Sequence, residues 1–376
     1  MTVHHIYFVP GMFGFGSLAG YDYFHHVREA LTARYADAGV EVVFEVIPTP
    51  PTSSLRHRAR MLAKAVRHSA GDEGPIHLVG HSTGGLDVRL VLSPSSDLAS
   101  DAERLRWRSR VHTAISLNTP HYGTPLASYF ATVSGTRVLY ALSLLTVVSL
   151  TVGEPSLAVF SRLLAGLGGI EQLLGGDLRL IGRATDLILR YVDKEGRSEI
   201  SEFLGKIRTD QGAIVQIMPE AMDLFNAAAE DDPNVRYGSL ATAAPAPQAM
   251  RFAKRVRSPY AALTAAMYST LYGFTSQRPK MYPYKTPSPE EQALFEQAFS
   301  DPVTDRTNDG VVPTLSMIWG ELLWCADGDH LDVLGHFHDD AEPSVHVDWM
   351  TSGAHFTRER FASAMDAVAR FQLRPP

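Results

Sequence analysis

Cysteine is almost missing from this 376-residue chain: Cys325 stands alone, which excludes an intramolecular disulfide and argues against a cysteine-based metal centre. A lone cysteine of this kind reads as a buried small hydrophobe, and it favours a reducing compartment. Long apolar runs are lacking too. The longest uncharged stretch, Val138 to Gly153, falls short of the roughly 20 residues that cross a bilayer, and Ser and Thr interrupt it. The N-terminus passes from Met1-Thr2-Val3-His4-His5 straight into Ile6-Tyr7-Phe8-Val9 without the pattern of a secretory leader, so a cytoplasmic location is expected. There is no excess of charge of one sign that would mark a nucleic-acid or anionic-membrane partner: the net charge is −7 with acids and bases interspersed. No Gly/Ser-rich or Pro-rich linker and no fixed-period repeat divides the chain. A single domain over residues 1–376 is expected.

What is present alternates. Short apolar runs at Ile6 to Val9, Val42 to Ile47, Ile76 to Gly80, Val111 to Leu117 and Val235 to Ala241 read as buried parallel strands. Between them, Phe24, Val27, Leu31 and Tyr35, and then Leu55, Ala59, Leu62 and Val66 behind Ser53 or Ser54, recur at helical spacing. This is the pattern of an α/β fold, a mostly parallel sheet with helices on both faces. The alternation breaks between about residues 126 and 230, where an apolar, glycine-containing first half precedes a charged second half. That stretch reads as an inserted helical cap or lid, or equally as a helical extension that only packs. The prolines and tyrosines after residue 242 suggest irregular connections. Phe361, Met365, Val368 and Phe371 mark a terminal helix.

The clearest chemical signal is Gly80-His81-Ser82-Thr83-Gly84, preceded by the strand Ile76-His77-Leu78-Val79 and followed by a helical pattern in Leu86, Leu90 and Val91. This is a nucleophile elbow in its required context, the mark of an α/β-hydrolase fold. A serine on so tight a strand-to-helix turn needs glycine two residues to either side, where side chains would collide. The turn makes Ser82 a candidate nucleophile and the Thr83 N–H a candidate donor to a tetrahedral oxyanion. A second donor belongs on a loop after an earlier strand, and Pro10-Gly11-Met12-Phe13-Gly14 is placed for it.

Such a serine requires an acid and then a histidine further along the chain. Asp309, in the turn Asn308-Asp309-Gly310-Val311-Val312-Pro313, is the candidate acid. With 15 histidines in the chain, the base is less determined: His330, His336, His338, His346 and His355 all follow Asp309. His330 in Asp329-His330-Leu331-Asp332 and His355 just before the last helix both fit.

Several blocks in order resemble the true lipases of bacteria, the group that includes the Pseudomonas, Burkholderia and thermophilic Bacillus enzymes. They are Gly80-His81-Ser82-Thr83-Gly84-Gly85-Leu86, Asn118-Thr119-Pro120-His121-Tyr122-Gly123-Thr124, Met222-Asp223-Leu224-Phe225-Asn226 before a strand with Tyr237, Asn308-Asp309-Gly310-Val311-Val312 followed by Ser316 and Trp319-Gly320, and Asp329-His330-Leu331-Asp332. The resemblance implies Ser82, Asp309 and His330 as catalytic triad, with the N–H groups of Met12 and Thr83 as oxyanion hole. It favours His330 over His355. It also implies an enzyme that cleaves a carboxylic ester of a small molecule or lipid through an acyl-enzyme. An acyltransferase, amidase or thioesterase on the same triad is the alternative, and a non-catalytic lipid- or partner-binding module a more distant one. The chain departs from that family at Pro10, where histidine is usual, and, since those lipases are largely secreted, in showing no leader pattern at its start, so that either a leader was removed or the protein stays inside the cell. No organic cofactor is implied. A structural calcium near the histidine is: Asp332 matches one ligand position, without a second carboxylate legible. For zinc, His336-Phe337-His338-Asp339-Asp340 offers no readable tetrahedral set, and a polar loop is expected there.

Overall fold

The computed structural model describes the chain apart from residues 1–2, 13, 15–16, 19–20, 97, 99–101, 133–134, 137, 141, 144–145, 147–193, 248–258, 279–280, 340–345, 347 and 376. Its centre is a six-stranded parallel sheet. The strands are β1 (His4–Val9), β2 (Val42–Val46), β3 (Ile76–His81), β4 (Val111–Leu117), β5 (Arg236–Ala243) and β6 (Glu321–Asp327), in spatial order β2-β1-β3-β4-β5-β6.

Alternation along β1 shows how the layers form. Ile6 and Phe8 enter one apolar cluster with Val27, Leu31, Met365 and Val368. Tyr7 and Val9 face the opposite way, into a second cluster with Leu62, Val66, Val88 and Val91. The first cluster is closed by α1 (His25–Asp37) and the C-terminal helix (Arg358–Leu373), the second by α2 (Leu55–Ser69) and α3 (Thr83–Leu92). The period of two in the strand thus meets the 3.6 period of helices on each face. The Ser54 hydroxyl accepts the His57 N–H and caps α2, and Thr357 caps the last helix in the same way.

All five expected strands are present. The sixth, Glu321–Asp327, lies between Gly320 and the Asp329-His330 segment and carries Cys325, which is buried; burial pushes its thiol up to about 12. The expectation of irregular chain after residue 242 is corrected. Helices occupy Pro259–Thr275 and Pro289–Ala298. Proline is tolerated at a first helical position, where its missing N–H would have no partner, and Ser288 with Glu291 forms a capping box just ahead of the second.

Between β4 and β5 the described chain is helical at Pro125–Phe130, Lys194–Thr209, Gly212–Gln216 and Pro219–Ala228. Residues 147–193 of the expected cap lie outside the described residues. No helix among the described residues is long and apolar enough to cross a membrane.

Candidate active site

Ser82 sits between β3 and α3 with φ 52 and ψ −128, a left-handed conformation that costs a non-glycine residue of order 1–3 kcal/mol and persists only where the surroundings hold it. What holds it is visible. The Ser82 N–H donates to the Leu117 carbonyl at 2.8 Å. A Cβ on Gly84 would run into the Val9 carbonyl oxygen, and one on Gly80 into the backbone of Gly84 and Gly85. Both flanking glycines are therefore steric requirements. Thr83 opens α3, so its buried N–H lies at the positive end of the helix.

The Pro10–Gly14 loop comes from the end of β1. It packs so tightly that a Cβ on Gly11 would lie 2.6 Å from the Ser82 Cβ, which brings Met12 to the wall of the pocket that holds Ser82. The loop is anchored by a buried ion pair from the opposite layer. Arg58 Nε donates to Asp87 Oδ2 at 2.8 Å, its Nη1 donates to the Pro50 carbonyl at 2.7 Å, and its Nη2 donates to the Pro10 carbonyl. Neither side chain of the pair is exposed. Burial pushes the Asp87 carboxyl up to about 7 against the pull of Arg58.

His330 follows β6, and Asp309 lies in a turn ahead of it. His330 Nδ1 is 2.6 Å from Asp309 Oδ2. With the carboxylate as acceptor, the imidazole proton sits on Nδ1 and the lone pair on Nε2. The other carboxylate oxygen, Oδ1, accepts the N–H groups of Val311 and Val312 at 2.8 and 2.7 Å, and Gly310 at φ 96 makes the turn possible.

The backbone of His330 is fixed as firmly as its ring. Its carbonyl oxygen lies 3.0 Å from His81 Nε2 and 3.3 Å from Asn118 Nδ2. Since a carbonyl can only accept, His81 carries its proton on Nε2, and its Nδ1 accepts from the Tyr23 hydroxyl at 2.9 Å. Burial and then the neighbouring His330 hold the His81 imidazole well below the usual range, and with both ring nitrogens engaged it is a strut beside the site.

The structure brings Ser82, His330 and Met12 together on one pocket, with Asp309 directly behind His330. Tyr23, Phe130, Leu142, Thr146, Val311, Leu331 and Trp349 complete its wall. His355 is not there. It is exposed, at φ 53, and lines two other cavities alongside residues such as Arg360 and Asp348.

The remaining motif blocks form supports. Asn118 Nδ2 also donates to Thr242 Oγ1, while Asn226 accepts from Arg89 and donates to the His121 carbonyl. Arg89 lies 3.4 Å from the centre of the Trp319 ring. Tyr23, Arg58 and Asp87 were not legible as site residues. Arg58 alone left a signal, a charge on the buried stripe of an amphipathic helix.

One cavity bears on metal binding, a space of about 140 Å³ lined by Asp332 and Asp348 with Ser352. Asp332 Oδ2 accepts the Asp329 N–H at 2.7 Å, and Asp329 Oδ2 is buried without a hydrogen-bond partner. Burial, followed by repulsion from the neighbouring aspartates, raises the Asp332 carboxyl well above its ordinary range. These oxygen donors could hold a hard cation.

No protein-family model matches the chain. A triacylglycerol lipase of Vibrio cholerae is 36% identical over 101 residues, which is 26% of this chain and 30% of that protein's length. Among solved structures, lipase 1 of Pelosinus fermentans aligns at TM-score 0.53 and 16% identity over 98% of this chain and 99% of its own. EstA of Clostridium botulinum aligns at 0.51 and 16% over 97% and 87%. The Staphylococcus hyicus lipase aligns at 0.50 and 16% over 98% and 96%. The parallel sheet, the elbow and these alignments together establish that the chain has the α/β-hydrolase fold, and it resembles bacterial lipases and esterases.

Proposed function

We propose that this protein is a serine hydrolase that cleaves carboxylic esters, with Ser82 as nucleophile, His330 as base and Asp309 as the acid that orients it. The observation that carries this reading is the 2.6 Å contact between His330 Nδ1 and Asp309 Oδ2 behind a pocket that His330 and Ser82 share. His330 Nε2 takes the Ser82 Oγ proton as the oxygen attacks the ester carbonyl, then gives that proton to the departing alkoxide. The N–H groups of Met12 and Thr83 receive the oxyanion. Water, deprotonated by the same imidazole, attacks the acyl carbon; the bond to Ser82 Oγ breaks, the imidazole returns that proton to Ser82, and the acid is released. The motif blocks support a place among the bacterial true lipases.

The pocket walls are apolar, which suits an acyl chain, yet the cavity measures about 30 Å³, room for about a water or two. Leu142 and Thr146 lie in the described part of the expected cap, and the Thr146 hydroxyl accepts from Trp349 Nε1 at 3.0 Å. That stretch acts as a cap that must shift before substrate enters. A series of chromogenic esters from acetyl to palmitoyl, with Ser82→Ala as control, tests this reading. Turnover is expected to peak at medium or long chains. Hydrolysis of none of them would sink it.

A structural calcium fits beside the base. Asp332 and Asp348 would hold it, with Asp329 adding negative charge, and its role would be to stabilise the segment carrying His330. Calcium is expected to raise Tm and EDTA to lower it, with both effects lost in Asp332→Asn. A Tm indifferent to calcium in the parent protein would exclude the site.

A further inference from the structure

The first turn of α1 carries His25, His26 and Glu29, and one ligating atom from each lies within 4.8 Å of the others. The spacing explains the grouping, since residues three and four apart are neighbours on a helix surface. His26 is 5% exposed, while His25 and Glu29 are exposed.

The chain that follows His330 closes over it. Gly335, left-handed at φ 95, approaches so near that a Cβ there would lie 2.6 Å from the His26 Cβ. The His346 and His336 rings are centred 4.4 and 5.9 Å from that of His26. His346 Nδ1 lies 2.8 Å from the Gly335 carbonyl oxygen, which places the proton on Nδ1 and the lone pair on Nε2. This is the arrangement that a backbone carbonyl imposes on a metal-binding histidine. Imidazole nitrogens with one carboxylate suit zinc and its neighbours better than calcium.

We propose that His25, His26 and Glu29 form a binding site for a divalent transition-metal ion of the Zn²⁺ class at the start of α1, beside the segment that continues from His330. The site stands independently of the hydrolase reading.

Zinc titration of tag-free, chelator-washed full-length protein, in excess calcium to fill oxygen sites, tests the proposal by calorimetry. One tight equivalent is expected, together with a higher Tm. His25→Ala and Glu29→Gln replace exposed groups. Each is expected to weaken zinc binding by about 10-fold or more while ester hydrolysis stays at the parent rate. Absence of saturable zinc binding in the parent protein would overturn the proposal. So would an affinity unchanged in both variants, which would place the ion on other histidines.

Discussion

Alanine at Ser82 is expected to reduce kcat for ester hydrolysis by about 10⁶-fold with little change in Tm. The side chain lost is small, while the backbone that holds the elbow, through the Leu117 carbonyl and the glycines at 80 and 84, stays in place. His330→Ala should fall nearly as far, because without a proton acceptor the hydroxyl is a weak nucleophile. Asp309→Asn should cost about 10⁴-fold. An amide in that position can present an N–H to His330 Nδ1 and favour the wrong tautomer. His355→Ala is expected to turn over esters at close to the parent rate, since His355 lies on other cavities. Steady-state kinetics on one soluble ester distinguishes all four variants. A dead His355 variant beside an active His330 variant would reverse the assignment of the base.

The second large effect is expected at Arg58. Removing one partner of a buried ion pair leaves an uncompensated charge, so Arg58→Ala should lower stability by about 3–5 kcal/mol, read as a lower denaturant midpoint. It also removes the donors to the Pro10 and Pro50 carbonyls. Pairing Arg58→Met with Asp87→Leu separates the two consequences. An apolar pair of similar volume should recover most of the stability. The Pro10 carbonyl remains without its donor, so kcat should stay down by about 10²-fold, the scale of a small misplacement in a catalytic group. Full recovery of both would show that the Pro10–Gly14 loop needs no anchor from Arg58.

Much of this architecture was legible in the residues, for identifiable reasons. Buried parallel strands are nearly continuous apolar runs, and five of them announced themselves. The elbow is written in glycines because only their missing Cβ atoms let β1 and α3 approach Ser82. The sixth strand was harder to see. Glu321-Leu322-Leu323-Trp324-Cys325-Ala326-Asp327 is short, and Leu323 and Trp324 are only partly buried. The helices after residue 242 were obscured because proline at a helix start looks the same in sequence as proline in a loop. Choosing His330 over His355 required family resemblance, since both precede plausible elements and only three-dimensional packing separates them. Support by Tyr23, His81 and Asn118 could not be read at all: contacts 58 and 212 residues apart leave no periodic trace. The same holds for the histidine cluster, whose members come from the start of α1 and from beyond His330.

An activated serine at position 82 is the centre of the proposed chemistry, and labelling with a fluorophosphonate followed by peptide mass spectrometry tests it most directly. Rapid, stoichiometric modification of Ser82 is predicted, slowed by orders of magnitude in His330→Ala and absent in Ser82→Ala. An unlabelled parent protein, or label on another residue with ester hydrolysis surviving in Ser82→Ala, would contradict it.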